Sequence, residues 1–128
     1  MKKICSYAIE MENDLFNLIK SEGEDWSDYT SELGRNNYIR AIETSIVYVI
    51  YESNEIIAYI RCKEDNGFGI YGYDLLVRQD KRGNKLGQLL IEKVKNDYPE
   101  QSIYIMSDVD EYYIKCGYKK IGSIFEIE

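Results

Sequence analysis

The sequence contains no histidine among its 128 residues, and this absence limits the chemistry available to it. Catalysis by Ser-His-Asp or Cys-His arrangements is excluded, and a zinc site is not expected. Any acid–base chemistry must therefore use Tyr, Asp, Glu, Lys, Cys or water.

Cysteines and long apolar runs are also scarce. Cys5, Cys62 and Cys116 are odd in number and widely spaced, which is typical of reduced thiols rather than disulfide pairs. No run of about 18 apolar residues predicts a membrane span. The apolar segment 4–9 is too short for the core of a signal peptide. We therefore expect a cytoplasmic protein without a membrane partner.

Length and charge define the general class of protein. With 45 % hydrophobic residues, the chain is expected to form a single domain, residues 1–128, with a core that needs no disulfide or metal. The 23 acidic and 16 basic residues give a net charge of −7. Because such a surface repels phosphate backbones, no nucleic-acid partner is expected. The sequence leaves the oligomeric state open.

Hydrophobic periodicity and turn signals predict an α/β fold, a mixed sheet with helices on its faces in the order β-α-α-β-β-β-α-β-α-β. The sixth strand is the last element of this order. The fourth and fifth strands should be parallel, because a right-handed helical crossover joins them. The predicted strands are 3–6, 46–51, 55–63, 68–77, 102–106 and 118–127, and the predicted helices are 13–21, 27–42, 85–96 and 109–116, with Asn13 as the first cap and Asp65-Asn66-Gly67 as a hairpin turn.

The segment after the fourth strand is the most informative part of the sequence. Four cations crowd into eight residues with only Asp80 opposing them, namely Arg78, Lys81, Arg82 and Lys85. A glycine-containing turn then opens an amphipathic helix. A helix N-terminus with unpaired N–H groups and nearby cations suits a phosphate. The alternative is a solvated basic turn.

Two segments carry a family resemblance. Arg82-Gly83-Asn84-Lys85-Leu86-Gly87 resembles the pyrophosphate loop of the GNAT superfamily of N-acyltransferases, Gln/Arg-x-x-Gly-x-Gly/Ala, with Lys85 where the first glycine is usual. Downstream, Tyr112-Tyr113-Ile114-Lys115-Cys116-Gly117-Tyr118 resembles the family's Phe-Tyr-x-Lys-x-Gly-Phe segment. The resemblance covers roughly residues 56–128, and the earlier part agrees only in the order of its elements.

The resemblance implies acetyl-CoA as co-substrate, no metal, and a splayed pair of central parallel strands that hold the pantetheine arm. Tyr113 falls on the tyrosine that protonates the leaving thiolate in many members, and Tyr112 is the alternative. The implied cofactor-binding residues are Leu75, Leu76, Val77, Arg82, Gly83, Asn84, Lys85, Leu86, Gly87 and Gln88.

A second charge cluster lies between the first two predicted helices. No Lys or Arg occurs between positions 21 and 34, where five carboxylates lie, namely Glu22, Glu24, Asp25, Asp28 and Glu32. Carboxylates interleaved with Trp26 and Tyr29 attract a cationic amine by charge and cation–π contact. We therefore take Glu24, Asp25, Trp26 and Tyr29 as candidate substrate-binding residues. The alternative is a solvated corner between helices.

The sequence leaves the general base and the precise function open. Asp74, Asp108, a water-mediated base and no dedicated base are all compatible with the pattern. The favoured function is transfer of acetyl from acetyl-CoA to a primary amine, with a small cationic amine as the favoured acceptor. The alternatives are acetylation of protein lysines or N-termini, and a non-catalytic acyl-CoA-binding module, which is motivated by Lys85.

Overall fold

Five strands form one mixed sheet in the computed structural model, which describes residues 2–128. Five α-helices flank this sheet within the same range. The strands are β1 Lys2–Ser6, β2 Ile46–Glu52, β3 Glu55–Glu64, β4 Ile70–Val77 and β5 Ile103–Ile105, and the helices are α1 Glu12–Ser21, α2 Ser27–Thr30, α3 Glu32–Glu43, α4 Leu86–Asp97 and α5 Asp110–Lys115.

The strand order is β1-β2-β3-β4-β5, with the first four strands antiparallel and β5 parallel to β4. The predicted parallel crossover through α4 is confirmed. Pairing between β4 and β5 covers only three residue pairs, 70–72 with 103–105. The Met106 N–H then donates to the Gly72 carbonyl at 2.9 Å. Beyond this point β4 continues to Val77 paired with β3 but not with β5. The two parallel strands therefore separate, as expected.

Each face of the sheet carries its own apolar core. On one face, called here the α1/α3 face, buried side chains of α1, α3 and the sheet pack together around Phe16, Tyr38 and Tyr59. On the other, the α4 face, Leu86, Leu90 and the buried side of β3 form a second core. The apolar spacing predicted for the first and third helices therefore produces two layers of helix around one sheet.

A bulge between β3 and β4 changes the direction of the side chains in β4. The pairing shifts between Arg61 and Cys62, so that Arg61 faces Asp74 and Cys62 faces Gly72. In a strand without a bulge, residues 71, 73, 75 and 77 would share one face. Instead Ile70 belongs to the α4 core, while Leu76, of the same parity, belongs to the α1/α3 core. The extra residue of a bulge has this effect.

The predicted helix 27–42 is in fact two helices. Ser31 has extended backbone angles, φ −63° and ψ 159°, and its hydroxyl accepts the Gly34 N–H at 3.1 Å. Ser31 is therefore an N-cap that separates α2 from α3. The predicted cap Asn13 is also wrong. Asn13 lies inside the first turn of α1, and its side-chain oxygen accepts from Arg35 at 3.0 Å.

The predicted last strand, 118–127, does not form. Residues 118–128 follow α5 without joining the sheet, and Phe125 and Ile127 are 81 % and 88 % exposed. The apolar residues 121, 125 and 127 have the parity of one strand face, but within residues 2–128 no strand of the sheet pairs with this segment.

Candidate functional site

The candidate site is built where β4 ends and α4 begins. A 3₁₀ turn, Gln79–Lys81, follows β4, and α4 starts at Leu86. The first bond into the helix runs from the Leu89 N–H to the Lys85 carbonyl, 3.1 Å. Within residues 2–128 the backbone N–H groups of 83–88 have no hydrogen-bond partner. This run of free donors at a helix N-terminus can bind a diphosphate.

Lys85 holds the backbone shape that the family pattern assigns to glycine. Its angles, φ 60° and ψ 25°, lie in the left-handed region, and it is the N-cap of α4. Gly83, two residues earlier, also has positive φ, 86°. The loop therefore keeps a left-handed turn at Lys85 at the cost of some backbone strain. Its exposed side chain forms no ion pair within the described residues.

The other cations of the loop are neutralised by distant carboxylates. Arg78 bonds to Asp80 and to Glu55, at 2.7 and 2.5 Å. Lys81 pairs with Glu52 at 2.5 Å, and Arg82 contacts Glu22. The sequence showed only Asp80 near these side chains, because the other three acids come from β2, β3 and the end of α1.

The three ion pairs with carboxylates outside the loop correct the interpretation that only Asp80 opposes these four cations. Lys85 is the one loop cation without such a partner in the part of the chain that the structure describes.

The free edge of β4 supplies a second set of backbone donors. The Arg78 N–H bonds to the Ile57 carbonyl at 2.8 Å, which fixes the alternation of the antiparallel ladder. By this alternation the backbone groups of Leu76 point to β3, and those of Leu75 and Val77 point to the unpaired edge. Leu76 itself is 3 % exposed in the α1/α3 core. The Val77 carbonyl on this edge already accepts from the Arg82 Nε at 2.9 Å, so an extended ligand arm can pair with the backbone of Leu75 and with the Val77 N–H.

The two adjacent tyrosines of α5 have different surroundings. Tyr113 packs against the α4 core, and burial raises its pKa to about 12. Tyr112 directs its hydroxyl at the first turn of α4, where a Cβ added to Gly87 would lie 2.3 Å from that oxygen. The rings are 5.1 Å apart at 86°. Tyr113 is thus protonated at neutral pH, and Gly87 leaves room for Tyr112.

The predicted acceptor-binding residues divide into two groups. Trp26, Tyr29 and Tyr38 form a continuous aromatic row, with neighbouring ring centroids 5.2 and 4.7 Å apart. Glu24 and Asp25 are exposed and have no hydrogen-bond or ion-pair partner within residues 2–128. The aromatic pair is therefore packed against the sheet, while the two carboxylates remain available to a ligand.

Two tyrosines of the aromatic row, Tyr29 and Tyr38, contact a buried polar network around Asp74. Asp74 accepts from the Arg61 Nε at 2.6 Å and from the Tyr38 hydroxyl at 2.5 Å, and Tyr38 contacts the Tyr59 hydroxyl at 2.7 Å. The Tyr29 hydroxyl lies 3.5 Å from the other oxygen of Asp74. Sequence reasoning missed Arg61, Tyr38 and Tyr59 as partners of Asp74, because only the packing of α3 on β3 and β4 brings them together.

The two candidate bases differ in their availability. The carboxylate of Asp74 is 8 % exposed and already bound by Arg61 and Tyr38. Asp108 is exposed after β5, and its charge helps to raise the pKa of Tyr113, after the larger effect of burial. Asp108 is therefore the carboxylate with a free lone pair near the predicted acid.

A cleft in the described part of the chain lies away from this site. Its volume is about 400 Å³, and it is lined by the end of β1, the start of β2 and Tyr98. Ile46 at the start of β2 pairs with Cys62, whereas Val77 pairs with Ala58 at the other end of β3. The cleft and the loop 82–87 are thus at opposite ends of the sheet.

Comparison with known proteins agrees with the geometry. The family model described as an acetyltransferase (GNAT) domain matches residues 43–120, more than half of the chain. This protein therefore belongs to the GNAT acetyltransferase family. No curated protein matches it, and no helix within residues 2–128 is long and apolar enough to cross a membrane.

Solved structures share the fold at low sequence identity. An aminoglycoside acetyltransferase from an uncultured soil metagenomic sample is 23 % identical with a TM-score of 0.78, and the match covers 100 % of this chain and 98 % of that one. A GNAT-family acetyltransferase of Streptococcus pneumoniae TIGR4 gives 16 % and 0.77, with the same coverage. Glucosamine-6-phosphate N-acetyltransferase from Arabidopsis thaliana gives 18 % and 0.69, again with coverage of 100 % and 98 %. These similarities establish the fold.

Proposed function

We propose that this protein transfers an acetyl group from acetyl-CoA to the primary amine of a small cationic acceptor. The observation that carries the proposal is the gap between β4 and β5, with free N–H groups along β4 and at residues 83–88 at its mouth. A thioester arm needs extended backbone to pair with, and a diphosphate needs clustered donors. Both lie within one short stretch of chain.

The residues at the gap fit the ligand. A Cβ at position 87 would collide with the Tyr112 hydroxyl, so the first turn of α4 has room only for glycine there. Gly83 adopts a positive φ with open space around it. Lys85 keeps the left-handed turn and adds an unpaired cation beside the free N–H groups. These features support a diphosphate site here despite the departure from the family pattern.

The proposed chemistry assigns a role to each group. Acetyl-CoA supplies a thioester whose carbonyl carbon is attacked by the neutral amine. The N–H of Leu75 or Val77, at the free edge of β4, donates to the carbonyl oxygen as negative charge develops there. As the carbon–sulfur bond breaks, the Tyr113 hydroxyl gives its proton to the thiolate. The proton lost by the amine passes to Asp108 or to water.

The acceptor side is assigned to the corner between α1 and α2. Glu24 and Asp25 are exposed carboxylates without partners in the described chain, so they can pair with an ammonium group without losing an existing bond. Trp26 and Tyr29 are half-buried and packed on each other, so only their exposed parts can contact the amine. This arrangement favours a small cationic amine over a neutral one.

The proposal is tested by ligand binding and turnover. Acetyl-CoA at millimolar concentration and low salt should raise the Tm, because a ligand that binds only the native state stabilises it. A panel of amines, with thiol release as readout, should then show turnover that favours cationic acceptors. Binding without turnover on any amine would favour the non-catalytic module. Absence of binding would refute the proposal.

A further inference from the structure

Glu22 and Arg82 join two parts of the chain that are 60 residues apart. Glu22 follows the last residue of α1, and its backbone N–H bonds to the Ile19 carbonyl at 3.1 Å. Its carboxylate accepts from the Nη2 of Arg82. The Nε of the same guanidinium donates to the Val77 carbonyl at 2.9 Å. Arg82 is therefore held between the end of α1 and the free edge of β4.

The two partners of this ion pair differ greatly in burial. The side chain of Glu22 is 11 % exposed, whereas that of Arg82 is 49 % exposed. The second carboxylate oxygen of Glu22 is buried without a partner. A buried carboxylate is costly unless it is paired, so Glu22 has a strong preference for contact with Arg82. The contact fixes one edge of the guanidinium.

The remaining donors of Arg82 lie on its open side. Nε and one Nη2 hydrogen are occupied, and Nη1 has no partner in the part of the chain that the structure describes. Arg82 immediately precedes the free N–H groups of 83–88. A planar guanidinium fixed along one edge presents its other donors in a set direction, which suits a diphosphate.

We infer that Glu22 is a positioning residue for acetyl-CoA, acting through Arg82. The inference rests on the proposed function and adds a residue to its cofactor side. By holding the guanidinium before the ligand arrives, Glu22 lowers the side-chain entropy that is lost on binding. The glutamate is not expected to touch the ligand.

The test is Glu22→Gln, which keeps the shape and removes the charge. We expect the Kd for CoA to rise about tenfold, within the range of coupling between residues in direct contact. The KM for S-acetylpantetheine, which lacks the diphosphate, should change less than twofold. In an Arg82→Gln background the same substitution should have no effect on the Kd for CoA. Glu32→Gln, in an exposed carboxylate of the same acidic cluster, controls for net charge.

The outcomes separate this inference from the proposed function. If the wild-type protein does not bind CoA, the proposed function fails. If it binds CoA and Glu22→Gln binds equally or more tightly, the positioning role is overturned. Equal losses with CoA and S-acetylpantetheine also overturn it, because they indicate general damage. If Glu22→Gln does not fold, Arg82→Lys replaces it, since it keeps the charge but loses the held guanidinium edge. The same tenfold loss is then expected, and an unchanged Kd overturns the inference.

Discussion

Replacing Lys85 with glycine should make the protein more stable and its cofactor affinity weaker. Lys85 has φ 60° at the N-cap of α4, and the left-handed region costs a residue with a Cβ about 1–2 kcal/mol. Glycine removes that cost, but its greater conformational freedom in the unfolded chain lowers the free energy of unfolding by about 0.4–1 kcal/mol. The net gain is about 0.5–1 kcal/mol, which raises the Tm by about 2–4 °C for a chain of this size.

The effect on binding has the opposite sign. Lys85 is the loop cation without an ion-pair partner in the described residues, so its charge is free to act on a diphosphate. Its loss should weaken CoA binding by about 0.5–1.5 kcal/mol, the range for a partly exposed charged contact. This corresponds to about a two- to tenfold rise in Kd. The difference should shrink as salt rises, because added ions screen the lysine.

Thermal unfolding without ligand and calorimetric titration with CoA measure the two effects separately. Lys85→Asn is the matched control for charge, because asparagine tolerates the left-handed region and is neutral. Lys85→Arg keeps the charge and the strain, so it should resemble the wild type in both assays. Tighter CoA binding by the glycine variant would refute the reasoning, since it would mean that the lysine side chain obstructs the loop. A lower Tm would refute the assignment of strain.

The remaining predictions concern α5, the first turn of α4 and the acceptor corner. Tyr113→Phe should lower kcat by roughly 10²-fold with an unchanged Kd for CoA, and Tyr112→Phe should have much less effect; the reverse ranking would move the acid to Tyr112. Because burial raises the pKa of Tyr113 to about 12, its proton is retained as pH rises to 10, and kcat should show no basic limb from this group below that pH; a limb that Tyr113→Phe removes would contradict the assignment. Gly87→Ala should lower the Tm, since its Cβ would lie 2.3 Å from the Tyr112 hydroxyl, and adding Tyr112→Phe should restore it; no restoration would mean that another contact is responsible. Reversing the charges of Glu24 and Asp25 together should raise the KM for cationic amines and leave the Kd for CoA near wild type; unchanged acetylation would make the corner a solvated surface.

Periodicity and turn chemistry predicted most of the fold because these signals are local. The predicted helix 85–96 is observed as α4, and its buried residues 86, 90 and 94 have helical spacing. The turn Asp65-Asn66-Gly67 precedes β4, as its sequence predicts. The break at Ser31 was missed, although a serine three residues before Gly34 is a recognisable cap. The predicted last strand, 118–127, does not join the sheet, although residues 121, 125 and 127 have the parity of one strand face, because such alternation does not specify a pairing partner.

The candidate site was only partly predictable, because its electrostatics arise from contacts between distant segments. The loop 82–87 was found from its local pattern, and its backbone geometry agrees with that pattern. The partners of Lys81 and Arg82 are Glu52 and Glu22, which lie on other elements. No local pattern joins those pairs. Counting charges along the sequence therefore overestimated the positive charge of the loop.

The Arg61–Asp74 pair also has a consequence for how the chain selects one strand alignment. The two residues face each other across β3 and β4 and are joined at 2.6 Å on the α1/α3 face. A slip of β4 by one residue would turn Asp74 to the α4 face, away from Arg61 and from the Tyr38 hydroxyl. Misaligned sheets would thus bear the cost of unpaired buried charge. The pair therefore favours the native alignment over shifted ones. This selection does not require the pair to stabilise the fold more than an apolar pair of equal volume would.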